Sequence, residues 1–164
     1  MLIYNPLQII LVSCRGRPVI HGKELEHDEL FPVTWHCPAS QNPPMYLIAV
    51  SAKAEIEILR QAGCFVVNFI PFELAAATIK CARSIHLHHT DKWRDAGLTK
   101  GQAEKIDAPL VKEAAGWLEC QLAQEIQLGD HMLFIGRVLN SVLEKKFVKR
   151  LFHLEGEKFT TTLD

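Results

Sequence analysis

Read for the alternation of apolar and polar positions, the chain begins with a buried strand. Leu7-Gln8-Ile9-Ile10-Leu11-Val12-Ser13 is rich in aliphatic and β-branched residues, and the turn-like cluster Cys14-Arg15-Gly16-Arg17-Pro18 closes it before a polar loop. Phe31 to His36 alternates large apolar with small or polar side chains, which predicts a half-buried strand that starts after Pro32 and is stopped by Pro38 and Pro43-Pro44. Met45 to Val50 reads as a strand, and Ala54 to Ala62 as a helix with Ile56, Leu59 and Ala62 on one face, ended by Gly63. Cys64 to Ile70 is again a buried strand. Pro71 to Arg83 returns to helical spacing through Leu74, Thr78 and Cys81, whereas Ser84 to Lys105 reads as loop. Trp117 to Ala123 and Met132 to Leu139 predict a hairpin turning near Gly129. Two more short strands are predicted in Lys145 to Leu151 and, after Gly156, in the last stretch of the chain. Strands interrupted by two helices suit a small closed or split barrel with helices packed outside. The absence of a repeat or linker makes 1–164 a single domain.

Composition narrows the partners. Hydrophobic residues make up 48% and charged residues 23%, so the chain folds around a core. The formal net charge of -1 and the lack of any long basic run argue against nucleic acid. The five cysteines are scattered, with no Cys-x-x-Cys pair, and read as reduced thiols of a cytoplasmic protein. No apolar stretch reaches the roughly 20 residues of a membrane span. Dinucleotide, P-loop, nucleophile-elbow and His-Glu-x-x-His motifs are all missing.

Two segments carry candidate chemistry. His86, His88 and His89 could share a face and coordinate a metal, but three or four ligands are the rule for zinc and no Cys or carboxylate has ligand-like spacing nearby, which favours a solvated loop. Ser51-Ala52-Lys53, between a strand and a helix, offers free backbone N–H groups beside a cation and could hold a phosphate; equally, Ser51 could cap the helix while Lys53 is a surface charge.

Seven short stretches in order resemble one family: Pro32-Val33-Thr34-Trp35, Asn42-Pro43-Pro44-Met45, Gly63 to Asn68, Ala96-Gly97-Leu98-Thr99, Ala108-Pro109-Leu110, Leu118-Glu119-Cys120 and Gly129 to Val138. From about Pro6 to its end the chain is similar to the flavin reductase-like FMN-binding group that includes flavoredoxins and ferric reductases. The resemblance implies a mainly β, split-barrel homodimer with flanking α-helices that holds FMN at the subunit seam. Thr34 and Trp35 match the segment along the isoalloxazine ring, and Ser51 and Lys53 the phosphate segment. Lys92 matches a cationic position, His131 a ring-side or phosphate-side position, and Phe159 an aromatic that closes the pocket. Trp35 and Phe159 as core, Lys92 as surface and His131 as a turn residue are the ordinary alternatives. Two departures stand out. Glu55 replaces the family's usual Thr, placing a carboxylate that would repel a phosphate where it would also suit a bare helix N-terminus. The loop from Cys14 to Leu30 is long and carries Glu26-His27-Asp28-Glu29 in place of the family's Asn. The activities implied are an NAD(P)H-dependent flavin reductase or a flavoredoxin-like carrier fed by a redox protein. The competing expectations are a split-barrel binding dimer that has lost flavin and, last, a metal or haem protein using the three histidines.

Overall fold

The computed structural model describes residues 3–82 and 91–162. Seven strands build one antiparallel sheet: β1 (Ile10–Gly16), β2 (His27–Val33), β3 (His36–Gln41), β4 (Pro44–Val50), β5 (Cys64–Phe69), β6 (Gly116–Leu128) and β7 (His131–Leu143). Their order across the sheet is β2-β1-β5-β6-β7-β4-β3. The two edge strands, β2 and β3, are consecutive in sequence and only Thr34 and Trp35 separate them. Three peptide steps reach at most about 11 Å, so the end of β2 lies close to the start of β3 and the sheet curls into a barrel. The edges are not laddered to each other, which makes this a split barrel; the Trp35 carbonyl accepts from Ala49 N–H at 2.9 Å, one residue beyond the β3–β4 pairing of His36 with Ile48.

The barrel interior holds Ile10, Val12, Phe31, Val33, Ile48, Val50, Phe65, Val67, Met132 and Phe134. One end is plugged by Ile58 and Leu59 of α1 (Lys53–Ala62), whose C-terminus closes on Gly63 in the left-handed region (φ 63). The outer face of β1 is covered too, since Ile9, Leu11 and Leu30 pack against Ala77 and Cys81 of α2 (Ala75–Ala82) and Trp93 of α3 (Lys92–Ala96). A strand buried on both faces needs apolar side chains at successive positions, which is why β1 reads as a continuous apolar run rather than an alternation. Gly136 of β7 sits so close to Phe65 that a Cβ there would lie 2.7 Å from its ring and from Cys120 Cβ. Buried Asn68 is fully engaged: its amide donates to the Leu11 carbonyl and Ser13 Oγ, and its Oδ1 accepts from Val111 N–H.

Several expectations are corrected. Cys14-Arg15-Gly16 continues β1 instead of turning, and β2 begins at His27, so the supposed loop is strand at both of its ends. Pro32 lies inside β2 and Pro38 inside β3; both are tolerated because each strand is an edge, where a missing N–H costs no ladder bond. Within the stretch expected to be loop, α3 forms because Asp91 caps it, accepting from the N–H groups of Trp93 and Arg94. Lys100–Gln102 also pairs with Pro109–Val111. Residues 145–151 form no strand; Arg150 makes a single bridge to Pro71, and the terminal pairing is Phe152–Glu155 with Lys158–Thr160. The hairpin at Gly129 forms as expected, with Leu128 opposite His131 and Gly129 at φ 56. His86, His88 and His89 lie outside the described residues; among those described, no cluster of metal-ligating side chains exists. Among the described residues, no helix is long and apolar enough to cross a membrane. All five cysteines are unpaired.

Candidate functional site

The seam of the barrel opens into a cleft of about 280 Å³. Its walls are the end of β2 with Thr34 and Trp35, the end of β4 with Ser51 and Ala52, Glu55 in the first turn of α1, Ala82, and His131 at the start of β7. The topology explains this gathering. The interrupted ladder leaves Thr34 and Trp35 outside both strands, and the tight turn at Gly129-Asp130 brings His131 back to the same end of the barrel. Trp35 is 43% exposed and stacks on His131 with ring centroids 4.5 Å apart and planes at 19°. Tyr4 meets the indole edge-on at 6.1 Å. Asp130 accepts a 2.6 Å hydrogen bond from His131 Nδ1, which fixes the ring and leaves Nε2 as its other polar atom.

A second cleft, of about 370 Å³, adjoins the first through Pro32, Thr34 and Ala82 and is lined by Ile9, Thr78, His153 and Phe159. His153 and Phe159 touch edge to face at 5.8 Å. Thr34, Trp35, Ser51 and His131 therefore share one cleft, and Phe159 stands in its neighbour. Lys53 and Lys92 line neither. The Lys53 side chain is 90% exposed and lies 4.0 Å from Glu57. Lys92 is half-buried and paired at 2.6 Å with the buried Glu29, whose other oxygen lies 3.2 Å from His27 Nε2. Burial alone would raise the Glu29 pKa, but the bond from His27 and the charge of Lys92 outweigh it and hold the carboxyl below its ordinary range. Glu26-His27-Asp28-Glu29 is thus an ion-pair network: Asp28 is bonded by Arg15 at 2.8 Å and by Lys100 at 3.2 Å.

Glu55 behaves differently. Burial pushes its carboxyl up, Lys92 offsets this only in part, and Glu29 adds to it; its Oε2 is buried with no hydrogen-bond partner. Sequence patterns singled out Glu55 but not Phe31, Ala49 or Ala82, which line the same cleft with ordinary core residue types and carry no local signal. The donors and surfaces present fit a flat ring system at the Trp35 end. At the Ser51 end they supply a hydroxyl and helix N–H groups, but no unpaired cation among the described residues that line the cleft.

The model of the flavin reductase-like domain matches residues 4–161. The chain belongs to the flavin reductase-like domain family. Among its relatives, Diflavin flavoprotein A 1 of Synechocystis is 30% identical over 113 residues, which is 68% of this chain and 19% of that protein. The chain spans between 39% and 66% of the length of the first three curated relatives that it matches. In fold it is similar to the Streptomyces globisporus NADH:FAD oxidoreductase (TM-score 0.81, 20% identity, 97% of this chain and 87% of that one). It is similar also to an FMN-binding protein from Thermus thermophilus (TM-score 0.78, 20% identity, 97% and 88%).

Proposed function

We propose that this family member binds FMN in the seam cleft and acts as an NADH- or NADPH-dependent flavin reductase, working in the cytoplasm as a homodimer. The observation that carries this reading is the exposed Trp35 indole, stacked on His131 at the mouth of the cleft, in a chain whose sequence matches the flavin reductase-like domain almost end to end. Trp35 supplies a flat apolar wall for a tricyclic ring, and half-exposed aromatic surfaces are well suited to that contact. His131, steadied by Asp130, holds the indole in place, while the Ser51 hydroxyl and the first N–H groups of α1 meet the far end of the ligand. Bound flavin would supply the redox chemistry, accepting a hydride from the nicotinamide. The second cleft, with Phe159, gives a neighbouring space for a nicotinamide or an acceptor. Ile126 and Leu128, exposed near the tip of the β6–β7 hairpin, are apolar surface that a second copy would cover.

The test is the absorption spectrum of the purified protein with added FMN, followed anaerobically after NADH or NADPH. Flavin bands that bleach with a nicotinamide support the reductase; bands that bleach only with dithionite replace it with a carrier fed by a redox protein. The unpartnered Glu55 carboxylate favours a second reading, a split-barrel binding dimer without flavin. A colourless protein that ignores FMN at every pH would establish that reading instead.

A further inference from the structure

Among the described residues, Glu55 is the one carboxylate with a buried oxygen that has no hydrogen-bond partner. Glu29 is held by Lys92 and His27, Asp28 by Arg15 and Lys100, and Glu119 by Asn140 and the Lys105 N–H, whereas Glu55 Oε2 is buried and bonded to nothing. An acidic residue in a first helical turn is favoured by the helix dipole, but that preference would be met equally well by a carboxylate turned to water. Here it lines the cleft beside Ser51 and Ala52.

Among the described residues, the charged and titratable groups around it are few. Glu29 approaches from β2 and Lys92 from α3; burial raises the Glu55 pKa, Lys92 lowers it, Glu29 raises it again, and the net direction is up. Cys14 of β1 and Cys81 of α2 adjoin the Glu29–Lys92 pair; burial raises both thiols, that of Cys81 to about 12, so they stay neutral. His131 of β7 lines the same cleft, and Lys53 on the same helix projects outward. A dianionic phosphate brought into this end of the cleft would therefore meet a carboxylate without a compensating cation among the described residues that line it.

Resting on the flavin reading above, we propose that Glu55 couples FMN binding to uptake of one proton. FMN enters with Glu55 protonated and donating its O–H to the phosphate, whereas riboflavin, which has no phosphate, enters without any change at Glu55. The proton comes from solvent and returns to it on release; no other bond is made or broken. Glu55 is thus the residue that discriminates between flavins with and without a phosphate, increasingly against FMN as pH rises.

Flavin fluorescence titrations between about pH 6 and pH 9 test this, with FMN and riboflavin against the unaltered protein, Glu55→Gln and Glu55→Thr. In the unaltered protein the FMN-to-riboflavin affinity ratio should fall towards about tenfold per pH unit in the alkaline range. In both variants the ratio should be flat above about pH 7, since the phosphate's own ionisation near pH 6 is then complete, and FMN should bind at least about tenfold tighter than to the unaltered protein at the alkaline end. Calorimetry in buffers of different ionisation enthalpy should show proton uptake with FMN and none with riboflavin. FMN and riboflavin affinities that run parallel at every pH, or a slope that survives in both variants, would overturn the proposal and leave the flavin reading standing. If neither flavin binds to any of the three proteins at any pH, the flavin reading is overturned, and this proposal with it.

Discussion

The barrel has two unlike sides. Through β5, β6 and β7 the ladder is long, shifting register only at Glu119/Cys120 and Leu122/Gln124, and the packing is close enough that Gly136 has no room for a methyl group against Phe65 and Cys120. At the seam the ladder stops: Thr34 and Trp35 belong to neither edge strand, an indole stands 43% exposed, and a carboxylate oxygen is buried without a partner. The contrast teaches where this fold can keep reactive or recognising groups. A continuous sheet satisfies its own polar groups and fills its own volume, so a ligand finds surface only where pairing is interrupted.

Substitutions can test whether the two sides separate stability from binding. The largest effect is expected just behind the seam, where Lys92→Met strands the buried Glu29 carboxylate; losing one partner of a buried pair typically costs about 3–5 kcal/mol, which urea unfolding would measure. Glu29 is held below its ordinary pKa, so its contribution is present above the usual carboxylate range and is lost as pH falls through its lowered value. The Lys92→Met variant should therefore suffer most at neutral pH and approach the parent in acid. On the laddered side, Gly136→Ala should cost about 1–3 kcal/mol by overpacking against Phe65, with flavin affinity in the folded fraction unchanged. Asp91→Ala removes the cap of α3 and should cost about 1 kcal/mol. Trp35→Ala should change stability by no more than about 0.5 kcal/mol, as exposed substitutions do, yet weaken flavin binding about tenfold or more, an aromatic stack being worth roughly 1 kcal/mol or above. A Trp35→Ala protein that keeps its flavin affinity would break the comparison, because the seam would then not be the binding surface.

Glu55→Gln sharpens it from the other direction. The folded-state pKa of Glu55 is raised, so the carboxyl favours the fold only while protonated, and that advantage disappears as pH rises through the raised value. Thermal melts should show the variant gaining on the parent in mildly alkaline buffer and losing that gain in acid.

The fold was largely legible because its signals are local. β1, β4, β5, α1 and the Gly129 hairpin rest on apolar runs, helical spacing and turn residues that work over a few positions. The errors came where tertiary context overrides local preference. Pro32 and Pro38 look like strand breakers until the strands prove to be edges, and residues 145–151 have strand-like composition but no free edge to join beyond the bridge at Arg150. The site was legible in part. Thr34, Trp35, Ser51 and His131 converge on one cleft, but the ion pair that engages Lys92 joins residues 63 positions apart, and no local pattern announces such a contact.

The same seam bears on aggregation. An open sheet of seven strands would present two rows of unpaired backbone groups, each a template for another chain. Here each edge strand carries a proline whose nitrogen can donate to no incoming strand. The prolines thus blunt both edges, so the split in the barrel is a poor template for fibril growth.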